Sequence, residues 1–194
     1  EVELVIHPKP PKEPELKLVM TGKPGPKDMA KRKVNIVFTN NRQELDEDHT
    51  DATIPIEGYH RLIEELIRNN KRFIRETLEK TGVSDLVGSI PFEKAEVTFL
   101  SDYVETRVYR IVLYSGAVKV EFAIAIGQHS RGDEKREAEK AQKQGQFAYS
   151  VESEFHNLQK MHAALPDNVV EPFAYTEVET SDLPKFPIFS MRYI

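Results

Sequence analysis

The chain has 194 residues, of which 39% are hydrophobic and 30% charged, and its net charge is −5. This size and composition predict one ordinary globular domain or two small ones and exclude an intrinsically disordered class. The acidic balance excludes the basic footprint of a nucleic-acid-binding protein, and the absence of cysteine excludes disulfides, thiolate catalysis and cysteine-ligated zinc.

No apolar run approaches the length that spans a bilayer, and no signal peptide is visible, so we expect a cytoplasmic protein without a membrane partner. The chain begins at Glu1 rather than methionine and stops at the apolar pair Tyr193-Ile194. We therefore expect a fragment cut at both ends.

The first ninety residues predict an α+β region of unknown role, with a protein partner as one possible use. Residues 1–33 mix short apolar runs with prolines, which predicts edge strands or extended arms at best. Residues 33–39 predict a strand, and 58–81 predict one amphipathic helix because apolar residues recur at three- and four-residue spacing. The acidic run 44–51 lacks the central glycine and closing glutamate of an EF-hand, which favours a solvated loop over a calcium site. Residues 83–91 predict a linker.

Residues 91–194 predict a second domain. Strands are expected over 95–100, 107–114 and 118–126, followed by a solvated charged helix within 128–145 and a better helix over 148–164. Two more strands are expected over 169–178 and 186–194. The predicted fold is therefore α+β, with a five-stranded antiparallel sheet and one packed helix. No histidine spacing predicts a metal site.

This order of elements, with four local patterns, resembles the small lobe of the protein-kinase fold. The strand Phe122-Ala123-Ile124-Ala125 is similar to the V-A-I-K strand, and the helix from Glu154 to Met161 resembles helix C. The turn Pro166-Asp167-Asn168-Val169-Val170 is similar to H-P-N-I-V. The end, Ser190 to Ile194, resembles the fifth strand running into the interlobe hinge.

The resemblance implies a site for ATP and Mg²⁺ in a full-length parent protein. Ala125 stands at the position of the phosphate-binding lysine, and Glu154 is the helix-C acid, with Glu152 as a weaker alternative. Met191 falls near the gatekeeper position, and the cofactor-binding residues implied are Ala123, Met191, Arg192 and Tyr193. A large kinase lobe, or a second chain that completes the site, is the implied partner.

Three departures from the family predict that the chain does not catalyse phosphoryl transfer. Alanine at 125 cannot contact phosphate, the segment Leu100 to Arg107 contains no glycine, and no H-R-D or D-F-G motif is present. The lysine was either lost naturally, as in a pseudokinase, or removed by design. The function predicted is the nucleotide-binding half of a kinase-like phosphotransferase of an atypical branch. The alternatives are a pseudokinase-type scaffold or protein-binding module, and an unrelated α+β domain.

Overall fold

A computed structural model describes residues 34–46, 53–83 and 92–194. In this part of the chain the strands are β1 (Asn35–Thr39), β2 (Lys94–Asp102), β3 (Thr106–Ser115), β4 (Val118–Gly127), β5 (Pro172–Val178) and β6 (Phe186–Met191). The helices are α1 (Asn41–Asp46), α2 (Ile56–Asn69), α3 (Lys71–Lys80), α4 (Arg131–Lys143) and α5 (Val151–Ala164).

The described strands form one mixed sheet of six in the order β1-β2-β3-β4-β6-β5. The five strands β2 to β6 pair antiparallel, as expected. The expectation of a five-stranded sheet with one helix was nevertheless incomplete, because β1 adds a parallel edge strand on β2. The fold class is α+β.

One face of the sheet is covered by α2 and α3. Their apolar stripes, including Leu62, Leu66 and Phe73, pack against inward-facing residues of β2 to β4 and form the main core. The single helix expected over 58–81 was wrong, because the chain breaks at Asn70. The Asn70 side chain accepts a hydrogen bond from the Phe73 amide at 3.1 Å and so caps α3.

The opposite face carries α5, whose Val151 and Phe155 pack on Val108, Ala125 and Phe189. The buried stripe of α5 is shorter than the sequence predicts. Met161 and Leu165, near the C-terminal end of the helix, are about half exposed.

A charged cluster centred on Arg131 holds α5 to the sheet and to α4. The guanidinium lies 3.0 Å from Glu134, 2.7 Å from Glu152 and 3.1 Å from Glu177. Glu134 also accepts a hydrogen bond from the amide of Val151, the first residue of α5, at 3.1 Å. The first turn of α5 is therefore fixed in place.

The remaining expectations have mixed outcomes. The charged helix is present as α4, and only Glu134 of its residues is buried. Glu44 begins the acidic run yet is buried within α1, so a fully solvated loop was wrong for this residue. The strands expected within 1–33, most of the acidic run and residues 84–91 of the linker lie outside the described residues.

Within the described part, no helix combines the length and apolar character needed to cross a membrane.

At Gly127, the last residue of β4, the backbone lies very close to β6 and to α5. A Cβ built on Gly127 would lie 2.7 Å from Pro187 Cγ and 3.1 Å from Val151 Cγ2. Gly127→Ala should lower the free energy of unfolding by about 1–3 kcal/mol, because the neighbours must move. Urea denaturation followed by circular dichroism measures this change.

The matched control is Gly132→Ala on α4, where the nearest atom to a new Cβ is 3.9 Å away. Here the variant should be neutral or slightly stabilised, because alanine is the better helix former. Equal destabilisation of the two variants would contradict the close approach at Gly127.

Candidate functional site

A cavity of about 490 Å³ lies where β3, β4 and β6 meet α5. Its floor is the row Val108, Ala125 and Phe189, which are direct cross-strand neighbours. Leu158 and Met191 extend this apolar surface, and the turn from Tyr103 to Thr106 forms the rim. The volume is that of a small-molecule site with an apolar lining and a few polar groups.

The structure brings three of the sequence-predicted site residues together in this cavity: Ala125, Glu154 and Met191. Ala123 is buried beside them, paired with Met191 across β4 and β6. Glu152, the weaker alternative acid, is bound by Arg131 instead.

The two predicted hinge residues do not line the cavity. Arg192 pairs with Glu171 at 2.7 Å, and its guanidinium carbon lies 5.4 Å from the centre of the Phe173 ring. The ring of Tyr193 lies 5.0 Å from the guanidinium carbon of Arg110. The structure thus gives both residues intramolecular contacts.

The polar groups of the cavity are acidic or neutral. Glu105 and Glu154 line it together with the hydroxyl-bearing Tyr103, Thr106 and Tyr149, and no lysine, arginine or histidine does so among the described residues. The carboxylate of Glu154 accepts a hydrogen bond from the hydroxyl of Tyr149. Burial raises the pKa of Tyr149 above its ordinary value, and so do this hydrogen bond and the charges of Glu154, Glu105 and Glu134. The charged groups that act on the Tyr149 hydroxyl are therefore carboxylates.

These residues do not fit the triphosphate of ATP. A phosphate chain needs cationic side chains or converging backbone amides to balance its charge. Two carboxylates without a lining cation would instead repel it. The apolar floor remains suitable for a flat or apolar group.

The rim of the cavity is held by Gln128, which directly follows β4. The Gln128 amide donates to the carbonyl of Glu105 at 3.0 Å, and its side chain donates to the carbonyl of Tyr103 at 3.1 Å. The turn itself is closed by a 2.8 Å bond from the Tyr103 amide to the Thr106 carbonyl. These hydrogen bonds hold the turn 103–106 in place although it contains no glycine.

Beneath this turn, on the α2 side of the sheet, lies the fully buried Arg107. Its guanidinium reaches Glu44 and Asp102, each at 3.2 Å, and donates to the Tyr109 hydroxyl at 2.9 Å. The guanidinium carbon lies 5.0 Å from the ring centre of Tyr59 and 4.9 Å from that of Phe99. We call Arg107, Glu44, Asp102, Tyr109 and Tyr59 the buried network.

The buried network reaches the rim through Gln128. The hydroxyl of Tyr59 donates to the Gln128 side chain, which in turn donates to Asp102. Both carboxylates of the network are almost completely buried. The network therefore connects α1 and α2 to the residues that shape the cavity.

Sequence reasoning missed the buried network, although one signal was present. Arg107 shares its strand face with Tyr109, Ile111 and Leu113, so strand alternation places it on the buried side. Asp102 is its direct cross-strand neighbour in the β2–β3 hairpin, whereas Glu44 comes from α1, which no local pattern connects to Arg107.

Comparisons with protein-family models, curated proteins and solved structures find no significant match to this chain.

Arg107→Met should lower the free energy of unfolding by about 3–5 kcal/mol, because it leaves two buried carboxylates without their cation. Urea denaturation of the variant and the unaltered chain measures this difference. Arg72→Met is the matched control, since Arg72 pairs with Glu76 on an exposed helix surface and should show no measurable change. A stability loss at Arg107 no larger than at Arg72 would refute the role of the network.

The effect of Glu44→Gln on the free energy of unfolding should depend on pH. Burial raises the pKa of Glu44, but hydrogen bonds from His60 and Tyr109 and the charges of His60 and Arg107 lower it more, so the pKa falls below 4.5. A carboxyl group whose pKa is lowered in the folded state stabilises the fold at pH values above 4.5. This stabilisation is lost as the pH falls through the pKa that the group has in the folded state. The stability gap between the unaltered chain and Glu44→Gln should therefore be full at neutral pH and narrow in acid. A gap that widens as pH falls would contradict this assignment.

Proposed function

We propose that the chain is the nucleotide-binding half of a kinase-like fold in a form that does not hold a triphosphate, that is, a pseudokinase-type binding module. The observation that carries the proposal is the cavity, which gathers Ala125, Glu154 and Met191 beneath the turn 103–106. In the kinase small lobe, the corresponding positions are the phosphate-binding lysine, the helix-C acid, the gatekeeper and the phosphate-covering loop.

The sheet supports the same proposal. The antiparallel order β2-β3-β4-β6-β5, with α5 between β4 and β5 in the chain, agrees with the element order on which the resemblance rests. The helices α2 and α3 lie on the other face, so they leave the cavity face open.

The residues present support the proposal that this chain does not transfer a phosphoryl group. Ala125 carries no charge, and Glu154 is engaged by Tyr149 rather than by a lysine. The turn 103–106 has side chains where a glycine loop would bring backbone amides close to phosphate. ATP and Mg²⁺ are therefore ligands that the resemblance implies, but the residues that line this cavity do not suit them.

A protein-binding module is the second candidate function, and one observation favours it. Tyr103 and Val104 at the rim are 60% and 81% exposed, and nearby Phe147 is fully exposed. A larger lobe, or a second chain that closes the cavity, would cover these side chains.

Ala125→Lys tests the placement of the kinase-like site. The new ammonium would extend into the cavity towards Glu154, so Mg-ATP affinity should rise at least about tenfold by one charge-assisted contact. The unaltered chain should show no thermal shift with Mg-ATP, whereas the variant should show one that increases with nucleotide concentration.

Ala138→Lys on the exposed surface of α4 is the matched control, because it adds the same charge at a residue that does not line the cavity. A flat response from Ala125→Lys would refute the kinase-like placement and favour the protein-binding module. A Mg-ATP shift in the unaltered chain would refute the loss of the phosphate contact.

A further inference from the structure

We propose that the cavity beside α5 is a binding site for a small amphipathic organic cation, an amine attached to an apolar body. The inference rests on the proposed function only in taking this cavity as the binding site. It departs from the resemblance, because the family ligand is a polyanion.

The first argument is the match between the cavity and an apolar body. Val108, Ala125 and Phe189 form a continuous hydrocarbon floor across β3, β4 and β6. Leu158 of α5 and Met191 of β6 continue this surface at the sides. A ring or short alkyl chain placed here would exchange contact with water for contact with these apolar side chains, which favours binding.

The second argument is the charge of the polar lining. Glu154 projects into the cavity from the first turn of α5, and Glu105 lies on its rim. Tyr149 fixes the Glu154 carboxylate with one hydrogen bond, and a carboxylate has further lone pairs that accept from an ammonium. No cationic side chain of the described residues lines this cavity to neutralise the two carboxylates.

The third argument concerns which charge selects the ligand. A second cavity of about 570 Å³ shares Tyr149 and Glu105 with the first, and it is lined by Asp133, Glu134 and Glu137 of α4. Arg136 and His129 also line it, and each of the three α4 carboxylates has a cationic partner: Asp133 pairs with Arg136, Glu134 with Arg131 and Glu137 with Lys140. The second cavity is therefore an adjoining space, and the charge that selects a cation is that of Glu105 and Glu154 in the first cavity.

The test uses three probes that share a phenylethyl body and differ in charge: 2-phenylethylamine, 2-phenylethanol and 3-phenylpropanoate. Isothermal titration calorimetry of the unaltered chain at neutral pH should give affinities in the order amine, alcohol, carboxylate. The amine should bind at least about tenfold more tightly than the alcohol, which is the effect of one charge-assisted hydrogen bond.

Glu154→Gln removes the charge and keeps the shape, so it should abolish the preference for the amine over the alcohol. Glu139→Gln, on an exposed position of α4 outside the cavity, is the matched control and should leave the preference intact. Thermal melting shows that each variant is folded, and the three-probe series on the unaltered chain stands without any variant.

Equal affinities for the three probes, tighter binding of the carboxylate, absence of binding, or an amine preference that survives Glu154→Gln would each overturn the proposal. These results are separate from the test of the kinase-like placement. A gain of Mg-ATP binding in Ala125→Lys without an amine preference would leave the proposed function standing and reject the cation site. An amine preference without a gain of Mg-ATP binding in Ala125→Lys would support the cation site and reject the kinase-like placement.

Discussion

The buried ion pairs of Arg107 connect α1 to the hairpin of β2 and β3. A guanidinium with no exposed surface is tolerated only when its charge and its donors are all satisfied. Here Glu44 arrives from α1, Asp102 from β2 and Tyr109 from β3, so three separate segments must meet for the charge to be buried. The arrangement joins the N-terminal helices to the antiparallel strands in one core, and through Gln128 it fixes the turn that forms the rim of the cavity.

This anchoring explains how a turn without glycine can shape the cavity. A glycine-rich loop approaches its ligand through bare backbone, and it is free to move because it lacks side chains. The turn 103–106 is instead held by Gln128 from one side and presents side chains on the other. The consequence is a cavity lined by apolar side chains and by two carboxylates. Ala125 belongs to this cavity as part of its floor, beside Val108 and Phe189.

Much of the secondary structure could be predicted from local pattern, because alternation and helical spacing are properties of neighbouring residues. The strands β2 to β6 and the helix α5 follow such patterns. The break at Asn70 could not be predicted so easily, since the apolar spacing continues across it and the evidence is a side-chain cap. The gathering of Ala125, Glu154 and Met191 was expected from the resemblance, whereas the pairing of Glu154 with Tyr149 depends on how the chain enters α5. The joining of β1 to β2 and of Glu44 to Arg107 are long-range contacts that leave no periodic trace in the sequence.

We propose that this chain binds its ligand in the apolar and acidic cavity beneath the turn 103–106. The most direct measurement is a nuclear magnetic resonance titration of the methyl-labelled chain with 2-phenylethylamine. Chemical-shift changes should concentrate at the methyl groups of Val108, Ala125 and Leu158, while those of the main core on the α2 side, such as Leu62 and Leu66, stay unchanged. Changes that spread evenly over the protein, or that avoid Val108 and Ala125 altogether, would contradict it.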